Sequence, residues 1–356
     1  MEIKRLDVSQ HPEFDDHEEL AECRDQESGL HAFIAIHNRK LGPALGGCRM
    51  WPYADREEAI TDVLRLSRGM TYKSAISNLA LGGGKAVIIG DPKKDKSDEL
   101  LRAMGSFVNS LSGRFVTAED SGTTVPDIQL MAQSTDHVAG IRYRAGAYGV
   151  QIDGDPSPFT AYGVFVGMKT SVRHKLGKSN MKDLRVAIQG VGNVGRHLAK
   201  LLVEDGAKVY VADLYPAAIA AVLAECSVVP VEIEDIHKLD VDVFAPCALG
   251  GIINQQLLEE IKARIIVGAA NNQLVDSEMG DKLQKAGMLY APDYLVNSGG
   301  IIDIFYERGD YDFLKVRHHI EEIGETLHEI YKESQERGIA TNKVADRIAE
   351  SRFKGE

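Results

Sequence analysis

The chain has 356 residues, 44% of them hydrophobic and 26% charged, a composition that suits a globular protein with core enough for two domains. Its formal net charge of −12 argues against nucleic acid or an anionic membrane as a partner, since both require a basic surface, whereas a small anion requires only local positive charge. The N-terminus is polar and acidic, without the apolar core of a secretory signal, and no run is long and apolar enough to span a membrane. The four cysteines (Cys23, Cys48, Cys226, Cys247) include no C-x-x-C pair, so free thiols in a cytoplasmic protein, with no metal site, are expected.

Strand and helix patterns alternate along the chain, which predicts α/β layers with mostly parallel sheets. H-A-F-I-A-I-H reads as a strand, and E-E-A-I-T-D-V-L-R-L-S-R-G as an amphipathic helix ending at Gly69. K-A-V-I-I-G is a strand, D-E-L-L-R-A-M-G-S-F-V-N-S-L a helix and R-F-V-T-A a strand. Residues 143–158, rich in Gly, Pro and Asp, have no periodicity and are expected to form a linker or a loop bordering a cleft. A long helix, F-T-A-Y-G-V-F-V-G-M-K-T-S-V-R-H-K-L-G, follows. Then come the strands L-R-V-A-I-Q-G, K-V-Y-V-A-D, V-D-V-F-A-P, R-I-I-V-G-A and G-M-L-Y-A-P-D. From about residue 311 to 352 the chain is helical, with an apolar stripe at Ile320, Ile323, Leu327, Ile330 and Tyr331 that is expected to dock on the first domain, a subunit contact being the alternative. The expected domains are 1–148, 149–310 and a C-terminal helical segment, 311–356.

Gly190, Gly192 and Gly195 form G-V-G-N-V-G between a strand and a helix that opens at Asn193 and Val194. The first glycine suits a tight turn, the second a close approach to a pyrophosphate, and the third close helix–strand packing. Chance alone yields on the order of 0.3 such matches in a chain of this composition, so context decides. Asp213 ends the next strand about 20 residues on, where a carboxylate accepts from the ribose hydroxyls and repels a 2′-phosphate; NAD is expected rather than NADP. G-G-G-K-A-V lacks the leading glycine and the Ser/Thr of a nucleotide-phosphate loop, which removes ATP chemistry.

Lys73 and Lys85, read as lying on glycine-rich loops, and Asp120, before the turn S-G-T-T, supply two cations and a carboxylate. Such a set holds an anionic small molecule and moves protons on it. Lys85 follows Gly82, Gly83 and Gly84 and opens an apolar strand, where a solvated surface lysine is out of keeping. Cys48 and Cys247 neighbour these glycine-rich segments and read as buried fillers.

The motifs G-P-A-L-G-G-C-R-M, G-M-T-Y-K, L-G-G-G-K, A-E-D-S-G-T-T, G-V-G-N-V-G, A-P-C-A-L-G-G, G-A-A-N-N-Q-L and A-P-D-Y-L-V-N-S-G-G, in this order from about residue 20 to 350, resemble the Glu/Leu/Phe/Val dehydrogenase family. The resemblance implies an N-terminal α/β substrate and oligomerisation domain and a C-terminal Rossmann NAD-binding domain flanking a cleft, with terminal helices returning to the first domain. It implies that Lys73 holds a substrate α-carboxylate beside the backbone of Gly46 and Gly47, that Lys85 activates water, and that Asp120 shuttles protons. It further implies that Asn272 sits between substrate and nicotinamide, and that Ala248 and Asn271 join Asn272 on the cofactor. The implied reaction converts an L-amino acid, NAD and water to a 2-oxo acid, ammonium and NADH, in a homo-oligomer, with octamers among leucine-type members.

For the side chain, glutamate-specific members carry a lysine where this chain has Leu45; a carboxylate buried there would go unpaired, at a cost of several (~2–7) kcal/mol. By analogy, Met70, Leu45, Ile301 and Ile304 line an apolar pocket. Leucine-specific members usually carry valine at the positions of Ile301 and Ile304 and often threonine at Ala139, so leucine, isoleucine and valine are all expected substrates. An aromatic amino-acid dehydrogenase, for phenylalanine or tryptophan, and a catalytically silent NAD-binding sensor are the alternatives.

Overall fold

The computed structural model describes residues 1–142, 144–145, 151–152 and 155–355; most of the expected linker lies outside them. The chain divides into two compact units. Unit 1 comprises Met1–Asp155, Ile304–Phe313 and Ala349–Glu356; unit 2 comprises Pro156–Asp303 and Leu314–Ile348.

Unit 1 holds β1 (Glu2–Arg5), β2 (Glu19–Asp25), β3 (Leu30–Asn38), β4 (Ala44–Trp51), α1 (Arg56–Ile76), β5 (Gly82–Ile89), α2 (Asp98–Ser110), β6 (Phe115–Glu119), α3 (Val125–Met131), β7 (Arg144–Ala145) and β8 (Gln151–Ile152). Among the described residues its main sheet has six strands in the order β1-β2-β3-β5-β4-β6. The pairs β4–β5 and β4–β6 are parallel, whereas β1–β2, β2–β3 and β3–β5 are antiparallel. Alternation along β3 builds two cores. Ala32, Ile34 and Ile36 pack with Met104 and Phe107 of α2 and Ile128 of α3, while Phe33 and Ala35 pack with Ile60, Val63 and Leu64 of α1.

Two expected boundaries are corrected. Helix α1 starts at its N-cap Asp55, which accepts from Glu58 N at 2.8 Å, and runs through Gly69 to Ile76. Gly69 is exposed, so its cost is the intrinsic ~1 kcal/mol, and the buried faces of Thr71, Tyr72, Ala75 and Ile76 outweigh it. Lys73 therefore lies in the last turn of a helix. Likewise β5 begins at Gly82 rather than at Lys85, so the glycine triplet is strand and not loop and Lys85 sits in the strand interior.

Unit 2 begins with α4 (Ser157–Leu176), β9 (Arg185–Gln189), α5 (Asn193–Glu204), β10 (Lys208–Ala212), α6 (Pro216–Glu225), β11 (Val229–Pro230) and β12 (Val243–Pro246). It continues through α7 (Gln255–Glu260), β13 (Ile265–Ile266), α8 (Glu278–Lys285), β14 (Leu289–Tyr290) and α9 (Asp293–Val296). The last helices are α10 (Gly299–Glu307), α11 (Phe313–Arg337) and α12 (Thr341–Lys354). Its strands are parallel in the order β11-β10-β9-β12-β13-β14, the 3-2-1-4-5-6 arrangement of a doubly wound Rossmann sheet. No helix among the described residues is long and apolar enough to cross a membrane.

The tail divides differently from the single segment expected. The stripe on α11 packs on α4 in unit 2, where Gly163 and Gly167 leave room for Ile323 and Leu327, and Ser171 Oγ lies 2.7 Å from Tyr331 Oη. Within unit 1, Tyr72 Oη donates to Glu350 at 2.6 Å, and Arg352 Nη1 donates to the carbonyls of Ala75 (3.1 Å) and Ile76 (2.5 Å), capping α1.

Candidate active site

Strand β4 organises the chemistry of unit 1. It pairs with β5, which carries Lys85, and with β6, whose end delivers Asp120. The pair Gly46-Gly47 makes this approach feasible. A Cβ on Gly46 would run into the Gly84 carbonyl, and one on Gly47 would lie 2.6 Å from Glu119 O and 2.7 Å from Asp120 Cβ. The turn after Asp120 is pinned by Thr123, whose hydroxyl donates to Cys48 O at 2.7 Å and accepts from Asp120 N at 3.0 Å.

Lys85 is only 5% exposed, and its Nζ stands 3.1 Å from Asp120 Oδ2. A second cation meets the same oxygen: Arg49 Nε donates to Asp120 Oδ2 at 2.8 Å, while its Nη1 donates to Asp62 Oδ2 at 3.0 Å. Tyr53 Oη donates to Asp62 at 2.6 Å. Burial pushes the Asp120 carboxyl upward, but Lys85 and Arg49 together outweigh it and hold it below the usual carboxylate range. The arrangement is an ionised acid beside a buried amine. Cys48 lies behind it, its thiol pushed up to about 12 by burial, as a protonated filler.

Lys73 and Met70 are half-buried on the C-terminal part of α1. His37 Nδ1 lies 2.8 Å from Thr71 Oγ1 and ties that part of α1 to β3. Leu45 is buried in β4. Ile304 is buried on α10, and a Cβ on Gly140 would lie 3.7 Å from Ile304 Cδ1 and 4.0 Å from Ala118 Cβ. Ala139 N donates to Thr117 O at 2.8 Å, so Ala139, Ala118 and Ile304 share one region of unit 1. One turn beyond Ile304, Glu307 accepts from the backbone N–H groups of Gly140 (2.7 Å), Ile141 (2.9 Å) and Arg142 (2.7 Å). Ile301, on the same helix, and Asn272 belong to unit 2.

Arg49 and Glu307 are not among the residues expected from the sequence. Arg49 carried a usable signal, a charge between Cys48 and Met50 in an apolar strand, the same signal that marked Lys85. Glu307 carried none, because its partners are backbone groups more than 160 residues away.

The glycine turn of unit 2 has the geometry a dinucleotide needs. Gly190 has φ 98°, and a side chain there would strike Ala248, whose Cβ would be 2.7 Å away. Gly192 caps α5 and has open space where a Cβ would stand; Gly195 packs on the Gly190 carbonyl. No side chain caps α5, so the first-turn N–H groups at Asn193, Val194 and Gly195 are available to phosphate oxygens. Asp213 Oδ2 accepts from Val191 N at 2.8 Å and Oδ1 from Tyr215 N at 2.9 Å; each oxygen retains a lone pair for a ribose hydroxyl. Asn271 Oδ1 accepts from Asn297 Nδ2 at 2.8 Å, and the exposed Asn272 has φ 51°. Cys247 is a second filler, its thiol pushed up to about 12 by burial. The residues present fit NAD.

A Rossmann unit, in a chain whose other unit pairs a buried lysine with an ionised aspartate, defines an oxidoreductase acting on a small molecule. Residues 17–137 match the family described as Glu/Leu/Phe/Val dehydrogenase, dimerisation domain, and residues 155–219 and 213–350 match Glutamate/Leucine/Phenylalanine/Valine dehydrogenase. The chain belongs to this family and is an amino-acid dehydrogenase. It is 45% identical over 348 residues to the leucine dehydrogenase of Geobacillus stearothermophilus, covering 98% of this chain and 94% of that protein. It is 43% identical over 343 residues to the phenylalanine dehydrogenase of Caldalkalibacillus thermarum, covering 95% and 91%. Among solved structures, L-tryptophan dehydrogenase from Nostoc punctiforme superposes with a TM-score of 0.82 at 41% identity, covering 96% of both chains.

Proposed function

We propose that this enzyme catalyses the reversible, NAD-dependent oxidative deamination of branched-chain L-amino acids (leucine, valine and isoleucine), in the cytoplasm and as a homo-oligomer. The observation that carries the chemistry is the buried Lys85 paired with the partly buried Asp120 beside the two glycines of β4. The balanced reaction is L-amino acid, NAD⁺ and water to 2-oxo acid, ammonium, NADH and a proton.

Lys73 holds the substrate carboxylate, beside the backbone of Gly46 and Gly47. Bound NAD supplies the acceptor for the hydrogen on the substrate Cα. Lys85 takes a proton from the water that attacks the imino carbon and returns it when the carbinolamine collapses. Asp120 relays protons between the substrate nitrogen and that water. General acid–base help of this kind contributes about 10²–10⁴-fold. Gly190, Gly192 and Gly195 cradle the pyrophosphate, Asp213 takes the ribose hydroxyls, and Ala248, Asn271 and Asn272 border the nicotinamide half.

For the side chain, Leu45, Met70, Ile301 and Ile304 form the apolar pocket. Support comes from the leucine dehydrogenase at 45% identity and from Leu45, against which a distal carboxylate would be unpaired. A second reading, an aromatic substrate, is favoured by the phenylalanine and tryptophan dehydrogenases at 43% and 41% identity. The family description of residues 17–137 as a dimerisation domain supports the homo-oligomer, and four free cysteines fit a reducing compartment.

A panel of L-amino acids with NAD and NADP tests the proposal. The expected result is NADH formation with kcat/KM highest for leucine, valine and isoleucine, and loss of the preference for NAD over NADP in Asp213→Ala. A higher kcat/KM for phenylalanine or tryptophan selects the second reading. Tight NADH binding with no turnover of any amino acid selects a silent sensor.

A further inference from the structure

We propose that Arg49 is a positioning residue for the reacting pair: it fixes Asp120 through Oδ2, leaving Oδ1 for the substrate, and it competes with Lys85 for the shared oxygen. This inference rests on the deamination reading above. Arg49 acts through Asp120 and touches neither substrate nor cofactor.

The geometry is two-ended. Nε donates to Asp120 Oδ2 at 2.8 Å, and Nη1 donates to Asp62 on α1 at 3.0 Å. Asp62 is itself held by Tyr53 Oη at 2.6 Å, so the guanidinium is anchored before it reaches Asp120. Lys85 Nζ meets the same Oδ2 at 3.1 Å, and Oδ1 has no partner among the described residues. A planar guanidinium can bridge two carboxylates in a fixed plane, which an ammonium cannot.

The charged and titratable groups around Asp120 are Lys85 on β5, Arg49 and the Cys48 thiol on β4, Asp62 on α1 with Tyr53 before it, and Glu119 at the end of β6. The Glu119 carboxyl is raised by burial, then by the charges of Asp155 and Asp120. Asp62 balances Arg49, so the guanidinium is held without drawing a further anion from the pair. With Arg49 present, Lys85 shares its counter-ion. Without it, Lys85 has Asp120 to itself, the ion pair tightens, and the amine gives up its proton less readily. Asp120 is also free to turn about its χ angles.

The experiment measures kcat/KM for L-leucine with NAD from about pH 6 to 11, spanning the lysine range, in wild type, Arg49→Met and Arg49→Lys. In parallel, acylation of Lys85 by acetic anhydride is followed against pH by peptide mass spectrometry, which does not depend on turnover. In Arg49→Met the acid limb moves up by about one pH unit, kcat/KM falls about tenfold more at neutral pH than on the alkaline plateau, and the Lys85 acylation curve moves with it. Arg49→Lys returns the limb toward wild type but leaves the plateau lowered, because the charge is restored and the bridge is not. A purely structural role lowers the plateau equally at every pH. An acylation curve in Arg49→Met that superimposes on wild type overturns the proposal. Should Arg49→Met fail to fold, a wild-type plateau in Arg49→Lys overturns it instead. If wild type turns over no L-amino acid, the deamination reading fails, while the acylation arm still decides whether Arg49 loosens the Lys85 pair.

Discussion

At the scale of single residues, Gly47 shows how much of the site is made of absent atoms. A methyl group there meets Glu119 O and Asp120 Cβ inside 3 Å, and both belong to backbone or to the first side-chain carbon, which cannot swing away. Gly47→Ala should displace Asp120 from Lys85 and lower kcat/KM by on the order of 10²-fold, as misplacement by about 1 Å does. It should also cost about 1–3 kcal/mol in unfolding free energy. Denaturant titration beside steady-state kinetics checks both, and a fully active Gly47→Ala would refute the geometry. His37 offers a pH test. Burial, then the charge of His17, holds its imidazole at about 4 instead of the usual 6.5, with Asp15, Arg68 and Thr71 as its other neighbours. The unfolded chain takes up this proton near pH 6.5 and the folded chain only near 4. Stability is therefore full above pH 6.5 and falls as pH drops toward 4. Thermal unfolding across that window should show a shallower slope in His37→Gln than in wild type.

Among the elements, α1 and α10 carry most of what local reading could not supply. The strands β3, β5 and β6 were legible as short, nearly continuous apolar runs bounded by polar or glycine residues, and α2 because its caps and stripe agree. Gly69 misled because a glycine near a helix end usually marks a C-cap, whereas here tertiary burial of Thr71, Tyr72 and Ala75 carries the helix on for two more turns. As a result Lys73 gains a rigid support instead of a loop. Helix α10 places Ile304 against the Gly140 backbone and then clamps the same loop through Glu307. Glu307→Ala removes the acceptor of three N–H groups and should cost about 2–3 kcal/mol, read from the denaturation midpoint. In the proposed pocket Ile304 is a wall held by this clamp, so KM for leucine should rise more than kcat falls. A variant with unchanged stability and unchanged KM would separate the clamp from the pocket.

For the whole molecule, the Rossmann unit was readable because its glycine turn, its acidic strand end and its alternating strands lie within one short stretch of chain. The partition of the tail was not. The stripe on α11 announces that it must be buried, but only the small residues Gly163, Gly167 and Ser171 of α4 decide where, and their spacing matters once both helices exist. The family motifs marked the proposed reacting residues in sequence; the fold added Arg49, whose proposed role depends on two carboxylates brought together from the end of β6 and from α1. In the proposed mechanism Lys85, paired with Asp120, is the working amine of this amino-acid dehydrogenase. The most direct test is kcat for NADH formation from L-leucine in Lys85→Ala, with NADH affinity measured by fluorescence on the same protein. A loss of about 10³-fold in kcat with NADH binding retained is expected; wild-type kcat in Lys85→Ala would rule this mechanism out.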